Sequence, residues 1–286
     1  MGRIGKTASS IWRLSPQKIY HWLNCPSAER KITMELKRIS AYPRFTGGEA
    51  SLSGQVIAFN DSAAFLYQYE EIFRKCNYKF TASVEEPLIY DCGANIGLSV
   101  IYFKTLYPKS IIKAFEADPD IAELLSNNIR INRIDGIQVY NKAVWDNDSS
   151  VNFSPNRSDG GAIKEQTGAI NVSAIRLKSL LEKEKKVDLL KLDIEGAEAR
   201  VLKDCCGTLH NVENIFIEYH SHSDKEQELH ILLKILKDAG FRYFIQPISD
   251  NHTPFLSFKI KREMDLQLNI YALNMGITER NENFIH

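Results

Sequence analysis

The chain has little of what would place it in several specialised classes of protein. Its 286 residues contain no uninterrupted apolar run of about 18 residues, so the sequence predicts no transmembrane helix. Its 36 basic and 36 acidic residues cancel, which removes the overall electrostatic signature of a nucleic-acid-binding protein. Its five cysteines are an odd number without framework spacing, which argues against a disulfide scaffold and favours a reducing, cytoplasmic location.

Residues 1–24 are basic and contain no acidic residue. They lack the unbroken apolar segment of an export signal, so we expect no signal peptide. This segment has two possible interpretations. It either contacts an anionic membrane surface peripherally or forms a short arm that packs on the body of the protein. We favour the packed arm. The basic residues of the segment are Arg3, Lys6, Arg13 and Lys18.

The rest of the chain divides into an appendage and one large domain. Residues 1–60 form a partly irregular N-terminal extension, in which 25–58 are expected to be a linker or a small strand pair. Residues 61–286 form the main domain, which opens with an aromatic-rich helix over 61–79 capped by Asp61 or Ser62. This helix either covers a cleft or buries its aromatic side chains on the core, and we favour the core.

Strands then alternate with helices, which predicts a doubly wound, Rossmann-like α/β sheet with helices on both faces. Two closing strands without a helix between them predict an antiparallel hairpin at one edge. Predicted strands cover 87–91, 111–115, 137–140, 150–153, 172–177, 187–192, 214–218, 241–246 and 269–273. Predicted helices cover 96–107, 121–131, 195–204 and 224–239.

The sharpest motif is DCGANIG at 91–97, which lies between the first core strand and the first core helix. This is the context that a nucleotide-binding loop requires. Gly93 permits a tight turn and close approach of a ligand, and Gly97 lets the start of the helix pack near the strand. Glu116 ends the next strand, where a carboxylate accepts hydrogen bonds from both ribose hydroxyls of an adenosine.

The loop departs from the dinucleotide-binding pattern G-x-G-x-x-G at two positions. Asn95 stands where the middle glycine would be, and Asp91 places a carboxylate close to the loop. A carboxylate there would repel a pyrophosphate, whose binding needs bare backbone N–H groups. It suits a ligand that carries an ammonium group, such as the methionine part of S-adenosylmethionine.

A second strand-to-helix corner, DIEGAE at 193–198, should face the same cleft, because ligands bind at the carboxyl ends of the strands in such sheets. Asp193 stands at the strand tip, and we expect it to be functional. Glu198 is interpreted as complementing the helix dipole. For Glu195, that structural role and a functional role both stay open. His220, which follows the 214–218 strand, is either a general base or an exposed loop histidine.

A magnesium ion is a second route to catalysis, with Asp193, Glu195 and Glu218 as its oxygen ligands. Three acids that are scattered in the sequence are weak evidence for a metal, so we do not favour this site. His220 and His222 form an H-x-H pair without a third ligand at metal spacing, and we interpret the pair as coincidence.

Three runs, DCGANIGLSVIYFK, AFEADP and DLLKLDIEGAE, resemble the FkbM-type S-adenosylmethionine-dependent methyltransferases over about Ser62 to Asn274. The resemblance implies a class I methyltransferase fold that methylates hydroxyl oxygens, on sugars of polysaccharides and glycolipids or on polyketides. It implies that Glu116 holds the ribose hydroxyls and that Ala117 and Asp118 flank the adenosine. It further assigns cofactor contacts to Asp91, Gly93, Ala94, Asn95, Gly97, Asn141, Ala143 and Asp193.

The sequence therefore predicts an S-adenosylmethionine-dependent O-methyltransferase that acts on a sugar-containing acceptor, with Asp193, Glu195 and His220 as candidate catalytic residues. The corner after the fourth core strand lacks the Asp/Asn-Pro-Pro-aromatic pattern of enzymes that methylate base amino groups, which disfavours nucleic acid as the acceptor. Two alternatives are a nicotinamide-dependent oxidoreductase and a non-catalytic cofactor-binding module. The intact loop argues against the second alternative, and Asp91 argues against the first.

Overall fold

The computed structural model describes residues 27–155, 162–163, 169–248, 255 and 264–277. The predicted arm or membrane contact of residues 1–24 lies outside the described residues. Among the described helices, none has both the length and the apolar character to cross a membrane.

The described part of the N-terminal extension is a helix followed by a hairpin. Helix α1 (Ser27–Ile39) precedes the antiparallel strands β1 (Gly48–Leu52) and β2 (Gln55–Phe59). The strand pair was expected, but the linker interpretation was wrong for residues 27–39. Only Ile39 of α1 is fully buried, so most of the helix lies at the surface of the protein.

The aromatic helix is shorter than the expected 61–79. Helix α2 (Ser62–Tyr69) is capped by the Asp61 carboxylate, which accepts a hydrogen bond from the backbone N–H of Ala63, and it continues as a π-helical turn over Glu70–Arg74. Its aromatic side chains, including Phe65 with 1% exposure, are buried mainly against the core. The helix thus contributes chiefly to packing, and Tyr67 is exposed beside the site described below.

The remaining strands, in chain order, are β3 (Leu88–Cys92), β4 (Ile111–Phe115), β5 (Ile137–Tyr140), β6 (Ala143–Trp145), β7 (Ser150–Ser154), β8 (Ala162–Ile163), β9 (Ile170–Arg176), β10 (Val187–Leu192), β11 (Val212–His222), β12 (Phe241–Pro247) and β13 (Met264–Asn274). The remaining helices are α3 (Leu98–Leu106), α4 (Pro119–Ile131), α5 (Leu177–Leu181), α6 (Glu198–Asp204) and α7 (Leu229–Asp238).

Seven strands form the central sheet in the order β12-β13-β11-β10-β3-β4-β5. All neighbours are parallel except β13, which runs antiparallel to β11 and β12. The chain builds outward from β3 in one direction and from β10 in the other, so β3 and β10 flank the topological switch point. The expected doubly wound α/β fold with an antiparallel edge is confirmed.

Both faces of the central sheet are covered by side chains from helices. Every residue of β10 is buried, as expected for a parallel strand between two layers of helices. Leu189 belongs to one hydrophobic cluster and Leu190 to the other, because successive side chains of a strand point to opposite faces. A smaller sheet, in the order β6-β9-β7-β8, lies between β5 and β10 in the chain.

Three element boundaries differ from the expected ones, and the first two of them change the site. Strand β11 extends to His222, so His220 lies within the strand and is buried, rather than standing in an exposed loop after it. Helix α6 begins at Glu198 and not at Glu195, because Glu195 and Gly196 have φ angles of +57° and +92° that no right-handed helix includes. Helix α7 begins at Leu229, five residues later than expected.

Candidate active site

A cavity of about 330 Å³ opens at the carboxyl ends of β3, β4, β10 and β11. Such a crevice beside the switch point is where open α/β sheets bind ligands. Its walls bring together the loop after β3, the loop after β4 and the corner after β10. The candidate residues that line it are Gly93, Ala94, Asn95, Glu116, Ala117, Asp118, Ala143, Asp193, Glu195 and His220.

Backbone hydrogen bonds tie the three loops to one another. The N–H groups of Gly93 and Ala94 both donate to the carbonyl oxygen of Phe115, and the N–H of Asp193 donates to the carbonyl oxygen of Cys92. Gly93 has a φ angle of +84°, and a Cβ atom there would lie 1.8 Å from the carbonyl oxygen of Asp193. Glycine is therefore required by the approach of the two loops, in addition to the turn that the sequence predicted.

The side chain of Glu116 is hydrogen-bonded to the Gly93 loop, next to which it was expected to bind the ribose. Its two carboxylate oxygens accept hydrogen bonds from the backbone N–H groups of Asn95 and Asp118, each at 2.9 Å. Burial raises the pKa of Glu116 to about 7, against these two hydrogen bonds, which lower it. Each oxygen keeps a second lone pair, and the side chain lines the cavity.

Two of the expected cofactor residues support the site without lining it. Gly97 has a φ angle of +94°, and a Cβ atom there would lie 2.6 Å from Cδ1 of Leu125, so it packs against α4 rather than against the strand. The Asn141 side chain donates to the carbonyl oxygens of Glu116 and Ala117 at 3.0 and 3.2 Å. Asn141 thereby braces the loop after β4.

Asp91 also lies behind the cavity wall, which differs from the expected direct contact with a ligand. Its side chain is fully buried and accepts a hydrogen bond from Ser99 Oγ at 2.5 Å. Its other oxygen lies 3.2 Å from Nζ of Lys191. Asp91 therefore reaches the cavity through Ser99 and Lys191, which both line it.

Lys191 is the residue of this site that the sequence argument missed. Its side chain is 2% exposed, and Nζ donates to the carbonyl oxygen of Gly93 at 2.8 Å and lies 3.4 Å from Asp193 Oδ2. Burial alone would lower the pKa of Lys191, but the charges of Asp91 and Asp193 outweigh it and hold the pKa well above its ordinary value. Lys191 is therefore a permanent buried cation between β3 and β10.

The other end of the cavity is acidic. Asp193 and Glu195 come from the corner after β10, and Glu218 and His220 come from the adjacent strand β11. Burial, with the neighbouring Glu218 adding to it, raises the pKa of Asp193 to about 7. Burial also raises the pKa of Glu195 to about 8, and the facing histidine opposes that shift.

Glu198 holds this end together, rather than only complementing the helix dipole. One of its oxygens accepts hydrogen bonds from the N–H groups of Ile194 and Gly196 at 3.2 and 3.0 Å. The same oxygen lies 3.1 Å from Nδ1 of His220. This one buried carboxylate therefore fixes both the turn that carries Glu195 and the ring of His220.

His220 is surrounded by carboxylates. Burial would lower the pKa of His220, but hydrogen bonds to Glu198 and Glu218 and the charge of Glu195 raise it well above its ordinary value. The surrounding carboxylates thus favour the protonated form of the ring. Because His220 is buried, the alternative of an exposed loop histidine is wrong, whereas its role as a general base stays a prediction.

Asp193, Glu195 and His220 also offer one ligand atom each, and these atoms lie within 4.8 Å of one another. The sequence placed Asp193, Glu195 and Glu218 together as a disfavoured magnesium site and did not include His220. Glu218 instead accepts a hydrogen bond from the amide of Gln267. The structure thus groups Asp193 and Glu195 with His220 as possible ligands, instead of with Glu218.

The chain is similar in sequence to several known methyltransferases. It is 24% identical over 205 residues to methyltransferase 1 of Beauveria bassiana, which covers 62% of this chain and 81% of that one. It is 28% identical over 163 residues to the 2-O-methyltransferase NoeI of Sinorhizobium fredii, covering 49% and 65% of the two chains. It is 28% identical over 160 residues to the hexuronic acid methyltransferase AglP of Haloferax volcanii, covering 54% and 63%.

The sequence pattern of a known domain family matches residues 91–243, from the first loop of the cavity to the edge hairpin. This stretch contains Glu116, the corner at Asp193 and the buried His220, so it includes most of the cavity lining as well as most of the central sheet. The resemblance found in the sequence is therefore confirmed, and the chain belongs to the methyltransferase FkbM domain family.

Proposed function

We propose that this methyltransferase uses S-adenosylmethionine to methylate a hydroxyl group of a sugar in a glycan, glycolipid or glycosylated metabolite. The observation that carries the proposal is the cavity itself. It joins an adenosine-type loop at Gly93–Asn95 and Glu116 to an acidic end at Asp193 and Glu195. One cavity can therefore hold the cofactor and present an acceptor to it.

The loops after β3, β4 and β5 are proposed to hold the cofactor. Glu116 accepts hydrogen bonds from the ribose hydroxyls with the lone pairs that Asn95 and Asp118 leave open. Ala117, Asp118 and Ala143 border the adenine, and Gly93 and Ala94 border the methionine part. Asp91 acts through Lys191 and Ser99, which set the shape of the loop.

Methyl transfer is proposed to occur at the acidic end. The acceptor oxygen attacks the methyl carbon in line, the sulfur–carbon bond breaks, and S-adenosylhomocysteine leaves. Holding the two reactants in this geometry supplies much of the rate. The hydroxyl proton leaves toward Asp193 and Glu195, the carboxylates that line this end, and His220 holds Glu195 and Glu218 in place.

One relative supports O-methylation, and another supports a sugar acceptor. NoeI is a 2-O-methyltransferase, and AglP acts on a hexuronic acid, which is a sugar acid. The exposed Tyr67, on the wall of the cavity, is suited to stack on the apolar face of a sugar ring. The cavity offers no cluster of basic residues for a phosphate backbone among the described residues, since Lys142 and Lys191 are the basic residues that line it.

The first test is calorimetric titration of S-adenosylhomocysteine into wild type and Glu116→Ala. The matched control is Glu123→Ala, which removes an exposed carboxylate from α4. We expect micromolar binding to wild type and Glu123→Ala, and at least tenfold weaker binding to Glu116→Ala. Absence of binding to wild type would overturn the cofactor assignment, and binding of NAD⁺ instead would restore the oxidoreductase alternative.

The second test is transfer of a labelled methyl group from S-adenosylmethionine to a panel of methyl glycosides, deoxysugar glycans and uronic acids. We expect label on a sugar oxygen, with Glu195→Gln at least a hundredfold slower at unchanged affinity for S-adenosylhomocysteine. Binding of the cofactor with transfer only to a non-sugar hydroxyl would overturn the acceptor class. Binding without transfer to any acceptor would favour the non-catalytic alternative.

A further inference from the structure

The geometry points to a divalent-cation site at the acceptor end of the cavity, formed by Asp193, Glu195 and His220. Their ligand atoms lie within 4.8 Å of one another, and Nε2 of His220 is 3.8 Å from Oε2 of Glu195. Ligands at about 2.1 Å from one octahedral ion lie about 3.0–4.2 Å apart. Small movements of side chains therefore bring the three atoms onto one ion.

The histidine is oriented as a metal ligand by a residue outside this set. Glu198, whose side chain is 1% exposed, binds Nδ1 of His220 at 3.1 Å. Nε2 thereby faces the cavity, where it lies 3.3 Å from Nε2 of Gln267, 3.4 Å from Oε1 of Glu218 and 3.8 Å from Oε2 of Glu195. A carboxylate that holds the inner nitrogen of a ligating histidine, so that the outer nitrogen faces the ion, is a recurrent feature of metal sites in proteins.

The same carboxylate fixes the second ligand. Glu198 accepts hydrogen bonds from the N–H groups of Ile194 and Gly196, which flank Glu195. Glu195 therefore lines the cavity from a turn that is anchored on both sides. The hydrogen bonds that anchor this turn are made by Glu198 and not by the carboxylate of Glu195. A site whose ligands are positioned before binding loses less free energy in ordering them.

The local charge balance also favours a cation. Four carboxylates line or adjoin this end of the cavity and a fifth, Asp91, lies behind its wall, whereas the described residues place two basic side chains against them, Lys191 and His220. Lys191 is shared between Asp91 and Asp193. A divalent ion bound at Asp193 and Glu195 would place positive charge where acidic side chains outnumber basic ones. The carboxylates are Asp91, Asp193, Glu195, Glu198 and Glu218.

The types of ligand atom indicate which ion would bind. Carboxylates suit Mg²⁺ and Mn²⁺, whereas imidazole favours later transition metals, so two carboxylates and one imidazole suit Mn²⁺ better than Mg²⁺. Three protein ligands leave positions open toward the cavity. There the ion would bind the acceptor hydroxyl and lower its pKa. This catalytic role rests on the proposed function, whereas the binding of the metal ion does not depend on that function.

The test is titration of Mn²⁺ followed by electron paramagnetic resonance, which counts free ion and needs no turnover. We expect wild type to bind one Mn²⁺ with a micromolar Kd and Mg²⁺ to compete only at higher concentration. Glu195→Gln and His220→Ala should each weaken binding at least tenfold, and Glu198→Gln about 10- to 100-fold. The control is Glu71→Gln, which alters a carboxylate on another wall of the same cavity and should bind Mn²⁺ as wild type does.

Calorimetric titration of S-adenosylhomocysteine into the same samples separates this inference from the proposed function. Glu195→Gln is nearly isosteric and lies in a partly exposed turn, so it should keep the fold and the affinity for S-adenosylhomocysteine. If wild type binds S-adenosylhomocysteine but no Mn²⁺ at millimolar concentration, the metal site is overturned and the cofactor assignment stands. Mn²⁺ binding that is equal in wild type, Glu195→Gln and His220→Ala overturns the site as well.

Discussion

The ammonium group of Lys191 donates a hydrogen bond to the carbonyl oxygen of Gly93 at 2.8 Å. This bond links strand β10 to the loop that follows β3, across the switch point of the sheet. The lysine is buried together with Asp91, so the loop that is proposed to hold the cofactor rests on a buried ion pair. The integrity of that pair should therefore govern both the stability of the protein and its affinity for the cofactor.

Lys191→Met should destabilise the protein by about 3–5 kcal/mol, because it leaves the buried carboxylate of Asp91 without its cation. It should also weaken binding of S-adenosylhomocysteine, since the carbonyl of Gly93 loses its donor. Urea unfolding and calorimetry measure the two effects. The double variant Lys191→Met/Asp91→Asn should recover part of the lost stability, and a loss below about 1 kcal/mol in the single variant would contradict the argument.

Gly93→Ala tests the close approach of the two loops. The alanine Cβ would overlap the carbonyl oxygen of Asp193, so the free energy of unfolding should fall by about 4 kcal/mol or more. Gly207→Ala is the matched control, because Gly207 has a similar φ of +91° but no atom within 4 Å of the added Cβ. It should cost only about 1–2 kcal/mol for the left-handed backbone. Equal losses of stability in the two variants would show that overlap is not the cause.

The central sheet was predictable because its strands are short, mostly apolar runs of strand-forming residues. Strands β4 and β5 begin and end where the sequence placed them, and β10 does as well. In β10, which is buried on both faces, this local signal needs no knowledge of distant partners. The same reasoning found the Gly93 loop and the corner at Asp193, since turn residues between a strand and a helix are also a local pattern.

The functional detail of the site was less predictable because it depends on pairs that are distant in sequence. Lys191 interrupts an apolar run, and its partner Asp91 is a hundred residues away, so the sequence gives no sign that the lysine is buried. Glu198 and His220 are 22 residues apart, and their hydrogen bond requires the register of β10 against β11. The left-handed turn at Glu195, which shortens α6, is a conformation that non-glycine residues seldom adopt.

Asn128→Ala tests how the hairpin of the N-terminal extension is attached to the main domain. The side chain of Asn128 is fully buried, accepts from the N–H of Ala58 and donates to the carbonyl oxygens of Ala58 and Ile96. Loss of these three hydrogen bonds should destabilise the protein by about 3 kcal/mol. Asn152→Ala, at an exposed position on β7, should change stability by less than about 0.5 kcal/mol. Comparable urea midpoints for the two variants would argue against this attachment.

Binding of S-adenosylhomocysteine should weaken below neutral pH because of Glu116. Burial raises the pKa of this carboxyl to about 7, with the charge of Asp118 raising it further and that of Lys191 opposing it. Below that pH the free protein carries a protonated Glu116, which accepts hydrogen bonds from ribose hydroxyls less well than the carboxylate does. If only the ionised form binds, affinity falls by about tenfold between pH 8 and pH 6.

Calorimetric titrations across that pH range measure this effect, and Glu116→Gln is the control. Glutamine keeps an acceptor oxygen but cannot ionise, so its affinity should be lower than that of wild type at pH 8 and should change little on going to pH 6. Any slope that persists in Glu116→Gln reports other groups that line the cavity, among which Asp193 and Glu195 also have raised pKa values. The same slope in wild type and Glu116→Gln would mean that Glu116 is not the group whose ionisation controls cofactor binding.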